Sequence, residues 1–145
     1  MASVAESVKN CLYNNWNDGV GIAKSDIYWT VYRFDVTNWL KSGRNYLIAV
    51  YSPGQTVSRM VSPNTWRIEE TVKIDIIVKC SSLNVDEMYQ KRNILKSEVL
   101  RIIHANQFQI PGLSWVYISQ EPVEVEAENM LRTTFNCLCV YHHTS

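Results

Sequence analysis

From Val72 to Cys80 the chain alternates apolar and polar, with Val72, Ile74, Ile76, Val78 and Cys80 on one side and Lys73, Asp75 and Lys79 on the other. A period of two describes a strand with one face on a core and the other toward solvent or a partner. The strand reads back to Trp66, and an unbroken run to Cys80 would span about 50 Å at ~3.3 Å per residue. Glu69 and Glu70 interrupt the alternation, and a bulge or bend is expected there. A helix follows, from about Val85 to His104. Asn84 suits its N-cap, Glu87 stands three positions on, and Asp86 favours the positive end of the helix dipole. Met88, Leu95, Val99 and Ile102 form its apolar stripe, and Arg92 interrupts that stripe with a side chain able to reach its edge. A period-two face beside a helical stripe predicts that Val72, Ile74, Ile76 and Val78 pack against Met88, Leu95, Val99 and Ile102.

The remaining segments build around this unit. Ala2 to Tyr13 reads as a short helix, with Val4, Val8 and Leu12 on one side and a capping box from Ser3 to Glu6. Asn14 to Gly19 is rich in turn residues. Ser25 to Val36 is rich in aromatic and β-branched residues and favours a strand, covered on both faces or lying at an interface. Lys41 to Asn45 reads as a turn, and Tyr46 to Tyr51 as a strand stopped by Ser52-Pro53-Gly54. Gln55 to Thr65 has no clean period and reads as a long loop between strands. Strands are expected from Trp115 to Ser119 and from about Leu131 to Tyr141, separated by an acidic stretch from Gln120 to Asn129. The fold class is α+β, one domain over residues 1–145. A mixed, mainly antiparallel sheet is packed by an N-terminal helix and one longer amphipathic helix, in the order α-β-β-β-α-β-β.

Charge bears on partners. Fourteen basic residues balance fourteen acidic ones, which argues against a surface dominated by phosphate contacts and hence against sequence-specific nucleic-acid binding. No apolar run approaches the ~20 residues that cross a bilayer, and the opening Met-Ala-Ser-Val-Ala-Glu lacks the features of a secretory signal. No membrane partner is expected. Cys11, Cys80, Cys137 and Cys139 show no close CxxC pair and read as reduced, mostly buried thiols of a cytoplasmic protein.

Candidate chemistry is sparse. Cys137 and Cys139 with His142 and His143 invite a zinc site, but no second ligand pair stands elsewhere, and core cysteines with a polar tail fit better. Glu124, Glu126 and Glu128 alternate, so a strand would place them together on one face, either solvated or against a basic patch. Lacking a nearby nucleophile or histidine, they do not read as catalytic. His104 suits the C-terminal end of the helix dipole. Five tryptophans and eight tyrosines suit core and interface use. No Walker loop, GxGxxG, GxSxG or HExxH motif occurs. No catalytic residue, no metal and no cofactor is expected.

The order of elements carries a resemblance. A short helix precedes Tyr46-Leu47-Ile48-Ala49-Val50-Tyr51; a polar loop, the long strand containing Thr71-Val72-Lys73-Ile74-Asp75-Ile76-Ile77-Val78 and an amphipathic helix follow; Arg132-Thr133-Thr134-Phe135-Asn136-Cys137 lies in the closing strand. This layout resembles the tail terminator, or tail-completion, proteins of long-tailed bacteriophages and related archaeal viruses, with Ser25 to Arg44 as an addition. The resemblance implies a non-enzymatic virion structural protein at the head–tail junction, assembled in the host cytoplasm. It implies a ring, commonly a hexamer, that caps the tail tube, stops its polymerisation and joins it to the neck. Its partners would be further copies of itself, the tail tube protein and neck or connector proteins. Other head–tail connectors, a small cellular protein-binding adaptor and a metal-dependent enzyme using the acidic cluster are the competing readings. The expected protein contacts are Arg59, Met60 and Val61 in the loop from Gln55 to Asn64, with Glu124 and Glu126. The alternative for that loop is folding back on its own domain.

Overall fold

A computed structural model of the protein describes residues 3–32, 45–54, 56–79, 85–127 and 130–144. Two strands of fifteen residues each, β4 (Thr65–Lys79) and β7 (Met130–Thr144), form the middle of its sheet. They pair antiparallel without a break, from Thr65 opposite Thr144 to Lys79 opposite Met130. Each is flanked on its outer side by two short strands lying end to end. Beside β4 run β2 (Tyr46–Tyr51), along Lys73–Val78, and β3 (Thr56–Ser62), along Thr65–Glu70. Beside β7 run β5 (Trp115–Ile118) and β6 (Val123–Ala127). β1 (Ile27–Thr30) adds a parallel edge to β2, the exception in an otherwise antiparallel sheet. The fold is thus α+β, as expected.

Two α-helices, α1 (Val4–Asn14) and α2 (Val85–Ala105), and two single-turn 3-10 helices, Asp18–Val20 and Lys24–Asp26, complete the described elements. The Ser3 hydroxyl accepts a hydrogen bond from the Glu6 N–H at 3.1 Å and caps α1. The helices share one buried cluster with the inward face of the sheet, in which Val72, Ile74, Ile76, Val78, Leu131, Phe135, Cys137 and Cys139 meet Val8, Leu12, Met88, Leu95, Val99 and Ile102. The predicted match of strand face to helix stripe therefore holds. Glu98 ties the segment after α1 to α2: its carboxylate accepts from the Asn17 N–H at 2.6 Å and from Arg101 Nε at 2.5 Å. Arg101 in turn donates to the Asn15 carbonyl.

The other face of the sheet carries its own small buried set, Leu47, Ala49 and Ile77, with Tyr51 and Met130 packed against it. Asp75, expected on the outward side with Lys73 and Lys79, is only 2 % exposed. Its carboxylate accepts from Arg132 Nη2 at 2.5 Å, Thr134 Oγ1 at 2.7 Å and Tyr51 Oη at 3.1 Å.

Three expectations change. No bulge occurs at Glu69 and Glu70, whose partners Val140 and Cys139 follow in unbroken register; the register shift falls between Met60 and Ser62 on β3. Glu69 is neutralised by Arg67 at 3.3 Å and Glu70 accepts from Tyr141 Oη, so both carboxylates sit on the strand without distorting it. The long loop from Gln55 to Thr65 is instead a hairpin arm, β3. Of the run from Ser25 to Val36, residues 27–30 form a strand, while 33–36, with the cap at Asn84, Cys80 and Glu128, lie outside the described residues.

Candidate functional site

The β3–β4 hairpin turns through Pro63 and Asn64, and Asn64 takes the left-handed conformation at φ 70°. Proline fixes the entry to such a turn, and asparagine tolerates positive φ better than other side chains with a Cβ. All seven residues of β3 are exposed. Among them Val57, Met60 and Val61 are 52–60 % exposed. A strand wet on both faces is held by its backbone ladder to β4, because it has no buried face to anchor it. The register places Val57 and Arg59 opposite Glu69 and Arg67 on the face away from the helices, and Ser58 and Met60 opposite Ile68 and Trp66 on the helix side. Arg59 therefore faces a like charge directly across the hairpin, an arrangement that costs stability. Arg67 has its own partner in Glu69; Arg59 has none among the described residues.

Glu124 and Glu126 occupy β6, and they do share one face, as alternation requires. That face looks onto α2. Lys96 Nζ lies 2.8 Å and Arg92 Nη1 3.2 Å from the Glu124 carboxylate, and Tyr89 donates its hydroxyl proton to Glu126. The hydrogen bond from Lys96, joined by the charge of Arg92, holds the Glu124 carboxyl below its ordinary range. The basic patch expected for these carboxylates is the chain's own helix, and Arg92 reaches it from the edge of the apolar stripe. On the outward face of β6, Val123 and Val125 are 56 % and 50 % exposed.

Arg59, Met60 and Val61 are thus brought to one exposed strand, while Glu124 and Glu126 lie at the opposite edge of the sheet. Cys137 and Cys139 point into the core. Burial, with the neighbouring Cys139, pushes the Cys137 thiol well up, and burial with the nearby Glu70 carboxylate pushes Cys139 up to about 12. Burial also raises Cys11, against a hydrogen bond from Asn15. His142 is drawn to Ser114, 3.1 Å from its hydroxyl. Among the described residues no group of three or more His, Cys, Asp or Glu is arranged to hold a metal, and no helix is long and apolar enough to cross a membrane.

An outward aromatic row is a feature the sequence reading missed. Trp115 and Tyr117 stack at 4.1 Å between ring centroids, and the exposed Phe108 lies parallel to Trp115 at 6.4 Å. The spacing of Trp115 and Tyr117 on a strand signals the pair, but Phe108 joins from the turn after α2, where no periodicity reports it. No family model matches the sequence, and no curated protein matches it significantly.

Proposed function

We propose that this chain is a virion structural protein of the head–tail junction, forming a ring that caps the tail tube, halts its growth and joins it to the neck. The carrying observation is the β3–β4 hairpin: seven consecutive residues of a regular strand stand exposed, three of them large and apolar. Apolar side chains displayed on an ordered strand suit a surface that a protein partner covers. The α+β fold and its order of elements accord with the resemblance to tail terminators, and the balanced charge lets identical subunits approach closely.

Native mass spectrometry across a concentration series, with negative-stain microscopy, tests the ring. Adding the purified protein to polymerising tail tube protein tests the cap, and arrested tube growth is expected. Replacing Arg59 and Met60 together by Ser leaves the monomer folded and weakens both. A protein that stays monomeric at high concentration and leaves tube growth unchanged would sink the proposal.

A further inference from the structure

We propose that β3 takes up an added strand: an extended acidic segment of another protein, paired antiparallel along its outer edge, with a carboxylate set opposite Arg59. The proposal rests on the reading above that a protein covers the hairpin, and it names the mode of contact and the chemistry of the partner. Among the described residues β3 pairs on one side only, with β4. None of its seven residues is buried. Alternate backbone N–H and C=O groups of such an edge point outward, a template on which another strand forms its ladder.

The charge at the edge selects the partner. Arg59, Arg67 and His142 stand abreast on the face away from the helices, each opposite the next across β3, β4 and β7. Glu69 is committed to Arg67 at 3.3 Å, and His142 lies 3.1 Å from the Ser114 hydroxyl. Arg59, at the open end of this row, is exposed, faces a like charge and has no ion-pair partner among the described residues. A strand added on its outer side brings a directly opposite Cβ to about 5 Å. A glutamate or aspartate there meets the guanidinium on the side away from Arg67. A second copy of β3 cannot supply it. The strand Thr56–Ser62 holds no acidic residue, and pairing it with itself sets Arg59 against Arg59 or against an uncharged side chain.

The flanking side chains extend the pattern. Val57 shares the face of Arg59, while Ser58 and Met60 take the helix side, where Met60 lies opposite the half-buried Trp66. An antiparallel segment, read from its residue opposite Met60 to its residue opposite Val57, is therefore apolar, acidic, polar, apolar. Its apolar residues would cover Met60 and Val57, which are 60 % and 52 % exposed. The register shift after Met60, with Pro63 in the turn beyond it, ends the ladder on that side.

Amide NMR on the full chain with a capped peptide, Thr-Val-Glu-Thr-Val-Thr, tests strand and charge together. Millimolar peptide is expected to shift the β3 amides and to protect alternate ones from hydrogen exchange. The same peptide with lysine in place of glutamate should bind about fivefold more weakly. Arg59→Glu replaces an exposed side chain and removes a like-charge pair, so its melting temperature should be no lower, and it is expected to invert that preference. A β3 unmoved by the peptide, equal binding of the two peptides, or undiminished binding of a fully N-methylated peptide would overturn the proposal. So would β3 amides already protected in a concentration-dependent dimer, which would give the edge to a second copy. Stronger displacement of the Arg59 and Arg67 signals by a single-stranded oligonucleotide would overturn it in favour of a phosphate contact. Rings that cap tail tubes while β3 ignores the peptide would keep the virion role and remove the added strand. Peptide binding by a protein that leaves tubes growing would do the reverse.

Discussion

A carboxylate in the middle of a sheet at 2 % exposure costs several kcal/mol unless its partners compensate it, and Asp75 has Arg132, Thr134 and Tyr51 around it. Asp75→Ala strands the guanidinium, and a loss of about 3–5 kcal/mol is expected, toward the lower end because Arg132 keeps a quarter of its side chain in solvent. Urea denaturation measures it; an unchanged midpoint would show that the three contacts carry no net stabilisation. Between Lys73 and Lys79 the aspartate looks like one more residue of a solvated face. What reverses that reading is Arg132 and Thr134, far along the chain, and no local period reports a partner at that distance. The thiols were legible because strand alternation itself buries them. Native protein treated with iodoacetamide at pH 8 should leave Cys137 and Cys139 unmodified in peptide maps, and denatured protein should lose that protection, since so little thiolate forms in a site that raises Cys139 to about 12. Rapid native labelling at either position would contradict their burial.

Elements were legible in proportion to how one-sidedly they are buried. β4 and α2 each turn one apolar face to the main core, so their periods of two and 3.6 stood out, although Asp75 and Ile77 are buried on the other face of β4 as well. Ile76, fully buried between them, should lose about 2–5 kcal/mol on truncation to Ala, and a denaturation midpoint within error of wild type would remove the strand–helix packing. β3 was invisible to the same test because neither of its faces is dry; the signal present was Pro63-Asn64, a turn pair between two strand-capable runs. The acidic segment showed its strand through alternating glutamates, while its basic partner on α2 was hidden by distance in sequence. The link between α2 and the residues after α1 gives a pH dependence. Burial tends to raise the Glu98 carboxyl, but hydrogen bonds from Arg101 and the Asn17 N–H outweigh it and hold the group below its ordinary value. A lowered folded value means a contribution fully present above the unfolded pKa of about 4.3 and lost as pH falls through the lower folded one. The melting temperature should therefore drop in that acid range, and Glu98→Gln should flatten this limb; identical acid limbs for the two proteins would exclude the effect.

At the scale of the whole molecule, the sheet has a long centre and short, mismatched margins. Two fifteen-residue strands fix its length, and each margin is completed by strands too short to cover it alone. The same plan governs the route by which the chain reaches this state. β2 and β3 are close neighbours of β4 in sequence and can pair with it early, whereas β7 joins it through pairs that range from Lys79 with Met130 to Thr65 with Thr144, the last spanning more than half of the chain. Closing so large a loop is slow compared with forming a hairpin. Until β7 docks, one whole side of β4 stands bare, with its backbone groups unpaired and Val72, Ile74, Ile76 and Val78 lacking half their cover. The best-protected strand of the finished protein is thus its most vulnerable one during folding, open to capture by another chain.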